Sequence, residues 1–211
     1  MRVKLIFPAS GQLVSQRLRA VPAPPLSLEY LAAFFSIDDQ IELIDMGRGD
    51  QPGYEDEVDL VAMHVRTPVA TTAFKIADQF RCKGKKVIMG GPHPTLLPLE
   101  CINHADAVCI GEGEKTLPAI IKDLKTGSLR RFYIGGPFNL TELPDEFVHF
   151  PELSDLQHLP SPRRGLFPPA RYHLNGVFIS RGCPYDCKFC AVKHFQGAAV
   201  RLRPIEELLS E

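Results

Sequence analysis

The sequence predicts an α/β domain, doubly wound, with a five-stranded parallel sheet of flavodoxin-like or Rossmann-like type. Three observations carry that expectation. Five short, nearly continuous apolar runs read as strands buried on both faces. Helix-length segments stand between most of them, the alternation that builds a parallel sheet covered on both sides. Glycine and small polar residues collect in the turns that follow the runs, where tight geometry and close backbone approach are needed.

Taken in order, residues 3–7 (VKLIF) form the first strand, stopped by Pro8, and residues 27–35 (SLEYLAAFF) a helix. Strands follow at 41–44 and 58–63, a helix at 69–81 (VATTAFKIADQFR), a strand at 86–89, a helix at 96–103, a strand at 107–110 and a helix at 115–124. In an open doubly wound sheet, ligands sit beyond the carboxyl ends of the strands. That directs attention to the loops PASGQ (8–12), DMGRGD (45–50), HVRTP (64–68), GGPHPT (90–95) and GEGE (111–114). Backbone amides in GGPHPT, at a helix start, suit an anionic group. A strand-to-helix turn also needs glycine for its geometry alone, so the residues by themselves leave both readings open. His64 and His93 stand in these loops, either as solvated side chains or as metal ligands.

Residues 132–174 differ in character. Pro137, Pro144, Pro151, Pro160, Pro162, Pro168 and Pro169 punctuate a stretch without hydrophobic period, which reads as a surface connector. It separates a first domain of residues 1–131 from a terminal piece of residues 175–211. In that piece, residues 176–180 read as a strand running into a cysteine loop, and Pro204 suits the first turn of a helix over 205–211.

Composition narrows the function classes. With 45% apolar residues the chain can bury a core, and 24 basic against 25 acidic residues leave a net charge of -1. That balance gives no footprint for nucleic acid or an anionic membrane surface. Pro8 and Gln12 interrupt the N-terminal apolar run too early for a signal peptide, and no run reaches about 18 residues. The expected location is the cytoplasm, where structural disulfides are rare and clustered cysteines point to metal or redox chemistry. Cys82, Cys101 and Cys109 are scattered, and Cys109, inside AVCI, reads as a small buried hydrophobe.

The clustered thiols lie in RGCPYDCKFC. Cys183, Cys187 and Cys190 form C-x3-C-x2-C, a compact loop able to hold three irons of a 4Fe-4S cubane and leave the fourth open. An open iron is a Lewis-acid position for the amine and carboxylate of a small substrate or cofactor. Gly182 and Pro184 favour a sharp turn around the cluster, and Phe189 would shield it from water. His194, four residues after Cys190, offers a second reading, a Cys3His zinc tetrahedron.

The cysteine loop resembles the signature of the radical S-adenosylmethionine (SAM) superfamily, C-x3-C-x2-C with an aromatic residue before the third cysteine. Cys183, Cys187, Phe189 and Cys190 match it residue by residue. SRGCPYDCKFCAV and VRLRPIEELLSE look like the first strand, cluster loop and first helix of that family's barrel. Upstream, PAPPLSLEYLAAFF, VIMGGPHPTLLP, ADAVCIGEGEKTLPAII and LPSPRRGLF are similar to the subgroup that places a cobalamin-binding domain before the barrel.

The resemblance implies a 4Fe-4S cluster on Cys183, Cys187 and Cys190, with Phe189 beside it. It also implies SAM on the open iron, reductive cleavage to a 5'-deoxyadenosyl radical, and an electron donor such as flavodoxin or ferredoxin. Cobalamin is expected in the crevice of the post-strand loops, at Gly90, Gly91, Thr95, Gly111 and Glu112. The D-x-H-x-x-G pattern that gives a protein histidine to cobalt is absent around residues 59–64. The family barrel has more strand-helix units than follow Cys190 here, so the expectation is the front part of an enzyme, inactive alone and completed by another chain or segment. The rival expectation is a non-catalytic module for cobalamin or a nucleotide.

Overall fold

The computed structural model describes residues 1–9, 23–136, 147–151, 155–168, 171–172 and 174–211. Ser10, Gly11 and Gln12 of the first loop, and Pro137, Pro144 and Pro169 of the connector, lie outside the described residues.

All five expected strands are present, as β1 (Arg2–Phe7), β2 (Gln40–Asp45), β3 (Leu60–His64), β4 (Lys86–Gly90) and β5 (Ala107–Gly111). The sheet continues through β6 (Phe132–Gly135) and β7 (Val148–Phe150), giving seven strands in the order β2-β1-β3-β4-β5-β6-β7. All neighbours are parallel, with Ile6 opposite Ile44 on one side and Met63 on the other. The two added strands fall in the stretch read as connector; FYIG and VHF are too short to display a period.

The helices are α1 (Leu26–Ala32), α2 (Ala70–Cys82), α3 (Pro92–Leu96), α4 (Pro98–Cys101) and α5 (Gly113–Thr126). The single helix expected over 96–103 is corrected to the end of α3 and the short α4. Leu97, at φ -132 and ψ 60, leaves the helical region because Pro98 follows it and disfavours α geometry in the preceding residue.

Alternating strand side chains feed two cores. On one face Ile6, Met63, Met89, Val108 and Ile110 meet Phe74, Ile76 and Phe80 of α2. On the other, Leu5, Ala62, Ile88 and Cys109 meet Leu28 and Ala32 of α1 and Leu117 and Ile120 of α5, with Phe167 added from the connector. Burying a side chain such as Phe80 or Ile120 contributes about 1.5–3 kcal/mol.

The terminal piece is a small hairpin with two helices. β8 (Ser180–Arg181) pairs antiparallel with β9 (Arg201–Leu202); α6 (Val192–Gln196) lies between them and α7 (Ile205–Ser210) follows Pro204 as expected. The strand expected over 176–180 shrinks to β8. Among the described residues, 176–179 have no ladder; the Arg203 amide bonds Ile179 O at 2.9 Å, its guanidinium Phe178 O at 3.4 Å, and the Arg164 guanidinium Gly176 O at 2.8 Å.

This piece docks on α1. The rings of Tyr30 and Phe178 are 5.0 Å apart, with the Arg203 guanidinium over both. Arg164 of the connector reaches Glu29 of α1 at 3.3 Å and Glu211 at 2.5 Å. Among the described residues, no helix is long and apolar enough to cross a membrane.

Candidate functional site

In this strand order the chain reverses direction across the sheet between β1 and β3, a switch point where strand-end loops diverge and leave a crevice. Beside it, on the face shared by α1 and α5, the strands present small side chains: Ala62, Gly90, Cys109 and Gly111. The result is a cavity of about 420 Å³, walled by Tyr30, Leu31 and Phe34 of α1 and by Leu117 and Ile120 of α5. Phe178, Ser180, Arg181, Phe195 and Gln196 of the terminal piece complete its wall.

Gly90, Gly91, Thr95, Gly111 and Glu112 all line this one cavity. Thr95 joins two of the loops: its hydroxyl donates to Gly91 O at 2.8 Å and accepts from the Gly111 amide at 2.9 Å. Gly91 has φ +102, and a Cβ there would stand 3.1 Å from Val65 O and 3.2 Å from the His64 ring, so only glycine suits both the backbone and the space. The Cys109 thiol bonds the Thr116 hydroxyl at 2.7 Å, and burial pushes it up to about 11, so it remains a neutral wall group.

Glu112 departs from the picture of a simple loop residue. Its carboxylate lies 2.8 Å from Arg201 and 3.4 Å from Arg181, and Arg181 also pairs with Glu114. What Glu112 offers a cavity ligand is mainly its backbone.

The two loop histidines separate. His64 lines the cavity, stacked on Phe7 at 5.5 Å; burial, with the Arg66 charge second, lowers it to about 4, so the imidazole is neutral at ordinary pH. His93 is buried away from the cavity, its Nδ1 3.3 Å from the Thr67 hydroxyl and its Nε2 3.4 Å from a Glu100 oxygen.

Cys183, Cys187 and Cys190 share the exposed loop between β8 and α6, and all three are free thiols. Gly182 turns the chain into it at φ +92, where any Cβ would collide with Ala199 O. The Cys183 amide donates to Gly197 O at 3.1 Å and the Cys190 amide to Cys187 O at 3.0 Å. Among the described residues, no three His, Cys, Asp or Glu side chains are gathered as a metal set, so neither the three thiols nor the thiols with His194 stand converged. In donor chemistry the loop still suits iron: three uncommitted thiols on one short turn. Phe189, expected to shield a cluster, is 93% exposed on the same loop.

Residues 19–121 match the B12-binding domain family. The chain carries a B12-binding domain. Around it the likeness extends further. The chain is 28% identical to the bacteriochlorophyllide d C-8(2)-methyltransferase of Chlorobaculum tepidum, over 84% of this chain and 38% of that protein. It is also 28% identical to an uncharacterized methyltransferase of Pyrococcus horikoshii, over 99% of this chain and 50% of that one. Among solved structures it resembles the radical SAM methyltransferase TsrM of Kitasatospora setae, with TM-score 0.70, 18% identity, and coverage of 100% of this chain and 44% of TsrM. The chain thus spans half or less of the length of these relatives. The recognition made from the cysteine loop and the upstream segments is borne out, as is the α/β fold class.

Reasoning from the sequence missed the cavity walls built by Tyr30, Phe178, Arg181, Phe195 and Gln196. One signal was present: Arg181 stands directly before the glycine of the cysteine loop, at a strand end.

Proposed function

We propose that this chain is the cofactor-holding front of a cobalamin-dependent radical SAM methyltransferase. The observation that carries the reading is the shared cavity, walled by the loops of the B12-binding domain and by the strand that leads into the cysteine loop. Cobalamin would be held in the crevice by Gly91, Thr95 and Gly111 and by the walls of α1 and α5. Cys183, Cys187 and Cys190 would hold a 4Fe-4S cluster, with SAM at the fourth iron. When bound, these groups supply a methyl carrier and an electron for SAM cleavage.

The chain's own residues bind, orient and exclude water. Leu31, Phe34, Leu117 and Ile120 give an apolar wall, and Thr95 holds the loops after β4 and β5 at one spacing. His64 presents a neutral ring at the crevice. The methyltransferase names of the relatives support methyl transfer over other radical SAM outcomes.

Anaerobic reconstitution with iron and sulfide, followed by equilibrium dialysis against hydroxocobalamin, tests the proposal. A broad brown absorbance is expected, abolished by Cys183→Ala, Cys187→Ala or Cys190→Ala, with cobalamin retention persisting in those variants. One tightly bound zinc without that absorbance would remove the cluster, and no retained cobalamin would remove the crevice assignment.

A further inference from the structure

Residues 111–113 face two partners at once. They line the cavity, and the Gly111 amide on Thr95 and the Glu112 amide on Gly135 O at 3.1 Å fix them to the sheet. The Glu112 carboxylate meanwhile engages Arg201 at 2.8 Å and Arg181 at 3.4 Å, with side chains of Glu112 and Arg201 only 7% and 6% exposed. These arginines sit on β8 and β9, the two strands between which the cysteine loop is strung. One carboxylate therefore ties both ends of that loop to the cavity wall.

Desolvation offsets most of the attraction in a buried ion pair, so such a group adds little net stability, and its best-attested use is to fix register. The planar fork of arginine strengthens the point, since it binds a carboxylate in a restricted orientation. Glu114, paired to Arg181 beside it, reinforces the same hairpin.

We propose that Glu112 is a positioning residue whose grip on Arg181 and Arg201 sets where the cysteine loop stands over the cavity. The proposal rests on the reading that the loop takes a cluster and the cavity cobalamin, and its test separates the two. In the full chain without cofactors, Glu112→Gln is expected to raise hydrogen exchange across residues 180–202 by about tenfold or more while β3 and β4 keep their protection. The pair Glu112→Arg with Arg201→Glu restores part of it. In the chain carrying a reduced cluster and cob(II)alamin, Glu112→Gln reduces the broadening of the cobalamin electron paramagnetic resonance signal by the cluster, and Glu112→Asp recovers it.

Unchanged exchange over 180–202 together with unchanged broadening overturns the proposal. If neither cofactor loads, the functional reading fails and the exchange experiment still decides the clamp. If Glu112→Gln also exposes β3 and β4, Arg201→Lys, which keeps the charge and loses the fork, decides it by the same exchange measurement.

Discussion

The Tyr30 hydroxyl donates to a Glu211 carboxylate oxygen at 2.6 Å, joining α1 to the residue after α7 across 181 positions of sequence. Arg203 bonds both, at 2.6 Å to the phenol oxygen and 2.7 Å to the carboxylate, and the side chains of Arg203 and Glu211 are each 1% exposed. Removing one member of a buried charged set strands the other. Arg203→Ala is expected to cost about 3–5 kcal/mol and Tyr30→Phe about 1.5–3 kcal/mol in urea unfolding. A larger loss from Tyr30→Phe than from Arg203→Ala would contradict the charge-centred account.

The same carboxylate gives an acid limit. Burial raises the Glu211 pKa, but the hydrogen bonds from Tyr30 and Arg203 and the charges of Arg203 and Arg164 outweigh it and hold the group below 4.5. A carboxyl depressed in the folded state contributes stability above its unfolded value and loses it as pH falls through the folded one. Unfolding free energy should therefore drop below pH 4.5, and drop less in Arg203→Ala.

His64 acts in a different window. Its folded value of about 4 lies below the ordinary 6.5, so on acidification the unfolded chain takes the proton first. Stability from the neutral ring is complete above pH 6.5 and is lost progressively down to about 4. Comparing urea unfolding of the parent and His64→Asn between those limits should show an excess loss of about 2 kcal/mol in the parent. Parallel pH curves would refute it.

Thr95 is the smallest group with two tasks. Thr95→Val leaves the Gly111 amide without its partner, at about 1–3 kcal/mol, while Gly91 O keeps the Thr95 amide at 3.1 Å. Thermal unfolding should fall accordingly and hydroxocobalamin retention with it, while Thr95→Ser keeps both.

Gly182→Ala tests the turn into the cysteine loop. With φ +92 and Ala199 O in the way, the substitution should disrupt the β8–β9 pairing and lower iron uptake on reconstitution several-fold. The unfolding midpoint of the seven-stranded domain should stay where it is; equal iron uptake would show that the loop tolerates another path.

β1 to β5 were legible because parallel strands buried on both faces leave continuous apolar runs, as in LVAMH and AVCIG. β6 and β7 were not, being four and three residues long and set among prolines. The crevice glycines and Thr95 could be picked because the fold rule places ligands at strand ends. The rest of the cavity could not: contacts such as Tyr30 with Phe178, or Glu112 with Arg201, join segments far apart in sequence and leave no local pattern.

The cavity is walled by residues as far apart in the chain as Leu26 and Gln196. At a synthesis rate of roughly 5–20 residues per second, on the order of ten seconds separate their emergence from the ribosome. Through that interval α1 and the sheet can fold while the crevice stays an open trough. A ligand of the crevice could then enter past the side that Phe178, Arg181 and Gln196 come to wall, whereas one meeting the finished chain finds that side built. Loading during synthesis and loading afterwards are different kinetic events, and the same affinity can conceal very different rates of capture.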